Sequence, residues 1–280
     1  MLFIFVNLVG ILKTRKTQKS NMKRKENAEI DSPRTFDNES FVLENFRLIP
    51  FYQIKYLGRR INCFRIKRLI RSFFFSKSWE NSFSKGDPSP DFHNEKHRVM
   101  MEVMRVDDAI SEPNDKCGDN SFKRTKRIIK AYFGQDYKGK LKNCSVYINP
   151  DTRNDKEYNI YGYLKTFKRV VMDHSNKIDN YHKHYPRCKT CIFLICDESN
   201  GYYQVVDKNR IRPHLCFTDK NFIEVIKNCR AEYVVWFVAK KESLMINNKE
   251  LKQPLACIYD VKHFKESGIE YDYEKMVKIK

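Results

Sequence analysis

Apolar positions along this chain fall into blocks separated by polar turns, and their spacing predicts alternating helices and strands. Residues 13–35 are polar and nearly free of large apolar side chains, too poor in burial to offset their ordering entropy, and read as a flexible arm. From Phe36, Asp37 or Asn38 caps a helix through Phe41, Leu43 and Phe46 that Pro50 ends. In 51–75 aromatic and aliphatic residues alternate with Arg and Lys at mixed spacing, which leaves helix and strand equally open. Turn chemistry at 85–90, an extended piece at 90–92, the polar turn HNEKH and a Val- and Met-rich run at 98–106 predict a β-hairpin. Beyond a loop at 112–120, a basic helix starts at Ser121 and runs through Tyr132 and Phe133 to Gly134, and a short strand at 144–149 ends at Pro150. Tyr161, Leu164, Phe167, Val170, Val171, Ile178 and Tyr181 then space out one long helix over 161–185, stopped by Pro186.

The C-terminal third is easier to read. TCIFLIC at 190–196 and EYVVWFV at 232–238 are continuous apolar runs of strand length, as expected of strands covered on both faces. Between them, 219–229 forms a helix with Phe222, Ile223, Val225 and Ile226 inward, which makes a βαβ unit with a right-handed crossover. Residues 257–261 add an edge strand, and the polar tail from Lys262 is peripheral. The fold class expected is therefore α/β, a mixed central sheet flanked by helices. Residues 1–35 form an apolar N-terminal extension and a flexible basic arm, and 36–280 a single α/β domain whose βαβ extension covers about 201–261.

Composition narrows this further. With 280 residues, 41% hydrophobic and 14% aromatic, a sizeable core is affordable, and 9 Gly with 9 Pro excludes collagen-like or Pro/Gly-rich architectures. Nine scattered cysteines, several inside apolar runs, argue against a disulfide framework and for a reducing, cytoplasmic setting. The opening MLFIFVNLVGIL falls short of the ~20 residues that span a bilayer and lacks a basic leader, so it reads as an upstream extension before Met22, and a membrane partner is disfavoured.

Charge changes the picture most. Lys and Arg number 54 against 35 Asp and Glu, a formal +19, and more than half of the excess lies in the first 87 residues. An imbalance of that size calls for a polyanionic partner. Arg59, Arg60, Arg65, Lys67, Arg68 and Arg71, set among Tyr and Phe, have the composition of a nucleic-acid channel, in which cations meet phosphates and rings stack on unpaired bases. A membrane-surface element or a solvated face over core aromatics shares that composition.

The candidate chemistry lies in the hairpin. Asp91, directly after Pro90, and Glu102 on the next strand can reach one side of the sheet together, a paired-carboxylate site for Mg²⁺ that would activate water for attack on a phosphodiester. At these residues the chain resembles the PD-(D/E)XK nuclease superfamily, whose sites use an Asp after Pro on one strand and an acid two residues before a Lys on the next. The resemblance implies a restriction-endonuclease-like core over about 37–200: a helix, a three-stranded antiparallel unit, a second helix and a further strand. Where the family has its Lys this chain has Met104, so the resemblance assigns that role to Lys123, Lys126 or Arg127 on the following helix. Arg105 is adjacent but alternates to the opposite face. An additional metal-binding acid from the first helix would be Glu44 or Glu39. Without the lysine, a non-catalytic basic module binding nucleic acid, or an acidic protein partner, is the alternative.

Two other constellations carry less. His182, His184, Cys188 and Cys191 in YHKHYPRCKTC offer zinc-type ligands, but no second CxxC accompanies them and Pro186 intervenes, so a helix-to-strand loop is preferred over zinc. Asp197 and Glu198 follow the 190–196 strand, either at a ligand crevice or within the turn DESNG. Neither GxxxxGK[ST] nor GxGxxG occurs, which counts against nucleotide cofactors of the familiar kinds.

Overall fold

The computed structural model describes residues 5–7, 36–82, 90–108, 145–147, 159–199, 201–208, 210–238, 244–246, 249–251 and 254–278. Its strands are β1 (Phe5–Asn7), β2 (Ile54–Leu57), β3 (Glu80–Asn81), β4 (Phe92–Asn94), β5 (Val99–Val106), β6 (Ser145–Tyr147), β7 (Thr190–Asp197), β8 (Tyr202–Asp207), β9 (Arg210–Pro213), β10 (Tyr233–Val238), β11 (Leu244–Ile246), β12 (Lys249–Leu251), β13 (Ala256–Asp260) and β14 (Met276–Lys278). The α-helices among the described residues are α1 (Phe36–Leu48), α2 (Arg60–Arg71), α3 (Ile160–Ser175), α4 (Ile178–His184) and α5 (Lys220–Asn228). The expected α/β class is present as a mixed sheet of seven described strands, ordered β2-β13-β10-β7-β5-β4-β3, with helices packed on it. None of the described helices is long and apolar enough to cross a membrane.

The centre of this sheet is the most legible part of the sequence. β5, β7 and β10 run parallel, and the apolar runs of β7 and β10 are buried almost end to end. On β10, Trp236 packs on Phe167 of α3 and Phe222 of α5, with ring centroids 4.5 and 5.5 Å away, whereas the next residue, Phe237, meets Phe46 of α1 at 5.4 Å. Alternation along the strand thus places α3 and α5 on one face of the sheet and α1 on the other.

α2 lies with α1. Its buried positions Cys63, Ile66, Lys67 and Ile70 follow the i, i+3, i+4, i+7 spacing of a core-facing stripe, and η-turn Phe73 at its end packs edge-on against Phe92 of β4 at 4.8 Å. Lys67 occupies an apolar position and is 0% exposed. Its ammonium donates to the carbonyls of Phe46 and Ile49, 3.1 and 3.0 Å away at the C-terminal end of α1, and sits 4.0 Å from the Phe46 ring centroid. It adds to the hydrogen bonding of helix-end carbonyls, of which that of Phe46 also accepts from the Ile49 N–H at 3.3 Å. Gly58 joins β2 to α2 with φ +102, and a Cβ there would come within 2.6 Å of Asp260 Cβ.

Several sequence expectations are revised. The ambiguous stretch 51–75 is three elements in succession, a 3-10 turn at Phe51–Gln53, then β2 and α2, which explains why no single period fitted it. The helix expected over 161–185 is interrupted at Asn176 and Lys177, giving α3 and α4. β13 is not an edge strand, because β2, about 200 residues earlier, pairs with it in parallel on its outer side. The tail is not merely peripheral. Phe264 and Tyr271 are buried, and β14 pairs with β8 in a separate three-stranded sheet, β14-β8-β9, that the hydrophobic pattern did not reveal. The basic helix expected from Ser121 lies outside the described residues.

Candidate active site at the β4–β5 hairpin

The antiparallel register pairs Phe92 with Met101, which sets Asp91, just before β4, beside Glu102 across the hairpin. Each carboxylate is fixed by the other strand's backbone: Val103 N–H donates to Asp91 Oδ2 at 2.7 Å, and Asp91 N–H donates to Glu102 Oε2 at 3.2 Å. The bonds lock the open end of the hairpin, and Glu102 is buried while Asp91 is partly exposed.

The face these acids occupy follows from the ladder. Glu102 pairs with Phe193 and Phe193 with Val234, a row on the Trp236 side of the sheet, so Glu102 points at α3. There His174 Nδ1 lies 2.6 Å from Glu102 Oε1, and the Tyr181 hydroxyl of α4 lies 3.4 Å from the same imidazole nitrogen. Burial above all, then the Glu102 charge, with the Asp91 charge also contributing, pushes the Tyr181 hydroxyl pKa up. Tyr181 therefore stays a proton donor beside the carboxylate. Neither His174 nor Tyr181 was identified from the sequence as a site residue. For His174 a signal existed, since it continues the Phe167, Val171 stripe at i+7 and i+3 and so faces the sheet.

The remaining predicted residues disperse. Met104 is a core side chain, and Arg105 pairs with Glu198 rather than with Glu102. Glu44 is exposed on α1, which packs through Phe46 on the opposite face of the sheet, so it does not join Asp91 and Glu102. Glu39 is also on α1. Lys123, Lys126 and Arg127 lie outside the described residues. Asp197 is buried and accepts from the Tyr163 hydroxyl at 2.5 Å and from Ser199 N–H at 2.8 Å, a strand-end turn.

The basic segment requires the largest correction. Lys67 is sealed beneath α1 and cannot meet a phosphate, and Arg71 is half-buried, donating from Nε and Nη2 to the Arg47 carbonyl at 3.1 and 2.8 Å. Arg59, Arg60, Arg65 and Arg68 are exposed. Because Phe92 and Met101 face α2 while Asp91 and Glu102 face α3, this basic surface and the acids are on opposite sides of one sheet.

The proposed zinc ligands do not converge. His182 Nδ1 is 3.0 Å from the Cys188 carbonyl, His184 Nδ1 is 2.8 Å from the Asn180 carbonyl, and the Cys188 thiol donates to the Val99 carbonyl. Among the described residues no group of three or more His, Cys, Asp and Glu side chains is arranged to hold a metal ion. Two hard carboxylates remain as a sparse oxygen donor set, of the kind that suits Mg²⁺ because that ion keeps several waters and uses only one or two protein carboxylates.

Comparison of the chain with protein-family models, with curated proteins and with solved structures finds no match.

Proposed function

We propose that this chain binds nucleic acid and hydrolyses its phosphodiester bonds at Asp91 and Glu102, with Mg²⁺ as cofactor, on a restriction-endonuclease-like core. The observation that carries the reading is the placement of Asp91 beside Glu102 across the β4–β5 hairpin, each carboxylate held by the other strand's backbone and Glu102 turned toward the next described helix. The order of elements supports it as well. Helices α1 and α2 precede the antiparallel unit β3-β4-β5, and β6, α3 and α4 come before β7, which is parallel to β5, an order that contains the helix, three strands, helix and strand of the PD-(D/E)XK core.

Held by Asp91 and Glu102, Mg²⁺ would supply an acidified water and offset charge on the phosphate. The chain's own groups orient the site. The Val103 and Asp91 N–H groups fix one oxygen of each carboxylate, and His174 fixes the other Glu102 oxygen. The imidazole stands on the helix side of the carboxylate, where the family's lysine has no counterpart at Met104, and Tyr181 adds a second donor. Reaction on a bound strand adds the water oxygen to phosphorus and breaks the bond to the leaving sugar oxygen, and the proton the water gives up balances the one that the leaving oxygen takes on.

Incubation with labelled single-stranded and duplex oligonucleotides, with Mg²⁺ or with EDTA, tests this. Metal-dependent cleavage is expected, falling at least about 100-fold in Asp91→Asn and in Glu102→Gln, a loss comparable with removal of a principal charge-stabilising group. Cleavage at the wild-type rate by either variant would refute it. Met104 favours one second reading, a binding module without turnover; salt-sensitive oligonucleotide binding with no cleavage under any divalent cation would select it.

A further inference from the structure

The outer surface of α2 and of the turns on either side of it combines two features that a solvated helix face does not need. Large apolar side chains stand in solvent there: Tyr52 is 85% exposed, Ile61 80% and Phe75 79%, with Phe64 at 42%. Arginines surround them. Arg59, Arg60, Arg65 and Arg68 are exposed and have no carboxylate partner among the described residues, and α2 itself contains no acidic residue.

Several of the aromatic and basic side chains here touch one another. The Phe64 ring lies 5.1 Å from Phe51, the Arg71 guanidinium is 4.6 Å from the Phe51 centroid while its Nη2 donates to the Arg47 carbonyl, and the Arg47 guanidinium reaches Phe75 at 5.9 Å. Arg59 to Arg68 spans about 14 Å along the helix axis, enough to follow more than one phosphate. Beneath this platform, Lys67 ties α2 to the end of α1.

We propose that this face docks single-stranded nucleic acid, with phosphates on the four arginines and unpaired bases against Tyr52, Phe64 and Phe75. The inference rests on the nucleic-acid reading above and names the class of strand. A duplex keeps its bases stacked inside and offers these rings nothing, whereas a single strand presents both a charged backbone and open π-faces. Position points the same way. The platform and the Asp91–Glu102 pair are on opposite faces of the sheet, so a stiff duplex engaged at the acids passes the platform by. A flexible strand can turn around the short β3–β4 edge, where the α2 end packs on Phe92. An acidic protein or an anionic bilayer would also meet the arginines, but exposed aromatic rings among the cations, with Leu48 and Ile61 the exposed large aliphatics among the described residues of this region, favour bases.

Fluorescence anisotropy with a labelled 20-nucleotide dT strand and a matching duplex, in EDTA so that nothing is cleaved, tests the proposal on the full chain. The single strand binds at least about tenfold tighter than the duplex, and Tyr52→Ala weakens it about fivefold or more, the lower end of base stacking on one ring. The double variant Arg65→Ala/Arg68→Ala, its fold checked by circular dichroism, flattens the slope of log affinity against log salt by about 1.4. Equal or tighter binding of the duplex, an unaltered salt slope in the arginine variant, or binding to anionic phospholipid vesicles but to neither oligonucleotide overturns it. The two proposals fail separately: strand binding without cleavage removes the nuclease and leaves the platform, and cleavage unaffected by the α2 variants removes the platform and leaves the nuclease.

Discussion

Replacing Lys67 by Met should change how stability depends on pH in a way that the buried position dictates. Burial lowers the Lys67 pKa from 10.5 to about 7, the Arg71 charge adding to the effect, while the two α1 carbonyls and the Phe46 ring favour the charged form. A base with a depressed folded pKa is protonated only in the unfolded chain between the two values, here about 7 to 10.5. The unfolded state then binds more protons, so stability rises with pH across this window, and the cost of burying the charge is fully present below it. At 1.36 kcal/mol per unit, wild type gains about 3 kcal/mol relative to Lys67→Met between pH 6 and pH 9, as an upper order of magnitude given the favourable carbonyl contacts. Urea unfolding of both proteins followed by tryptophan fluorescence at pH 6, 7.5 and 9 measures this difference, and groups common to both cancel. A difference that stays flat, or that moves against wild type as pH rises, refutes the claim that Lys67 holds a costly buried charge.

Two further outcomes follow from local geometry. Gly58→Ala forces a side chain into φ +102 and within 2.6 Å of Asp260 Cβ, and should destabilise by roughly 2–4 kcal/mol in chemical denaturation; a loss under 1 kcal/mol would show that the β2–α2 corner relaxes freely. The seven described cysteines are buried free thiols, and burial raises Cys63, Cys229 and Cys257 each to about 12, so they should react with a thiol reagent at pH 8 only on unfolding. Rapid labelling of Cys63 or Cys257 in the native protein, located by mass spectrometry, would contradict their placement.

The limits of the sequence reading have physical causes. β7, α5 and β10 were legible because a continuous apolar run or a helical stripe is a local property, and the hairpin because turn chemistry separates its two arms. The position of β13 was not, since its outer neighbour β2 comes from the other end of the chain. Lys67 was misread as a phosphate contact because its charge hid a perfect stripe with Cys63, Ile66 and Ile70; spacing outweighed residue type. At the candidate site, the placement of Asp91 beside Glu102 across the hairpin followed from its register, but His174 and Tyr181 reach Glu102 through the packing of α3 and α4 on the sheet, which no local pattern specifies. Nor could the sequence tell that the α2 arginines and the acids occupy opposite faces, because that depends on which way the chain crosses the sheet.

A double-mutant cycle on cleavage rate tests most directly whether Asp91 and Glu102 work as one unit. Rates for wild type, Asp91→Asn, Glu102→Gln and the double variant, measured with Mg²⁺ on a single-stranded oligonucleotide, should show each single substitution costing nearly as much as both together, the non-additivity of groups that act jointly. Losses that simply multiply, or single variants that retain wild-type rates, would contradict the shared site.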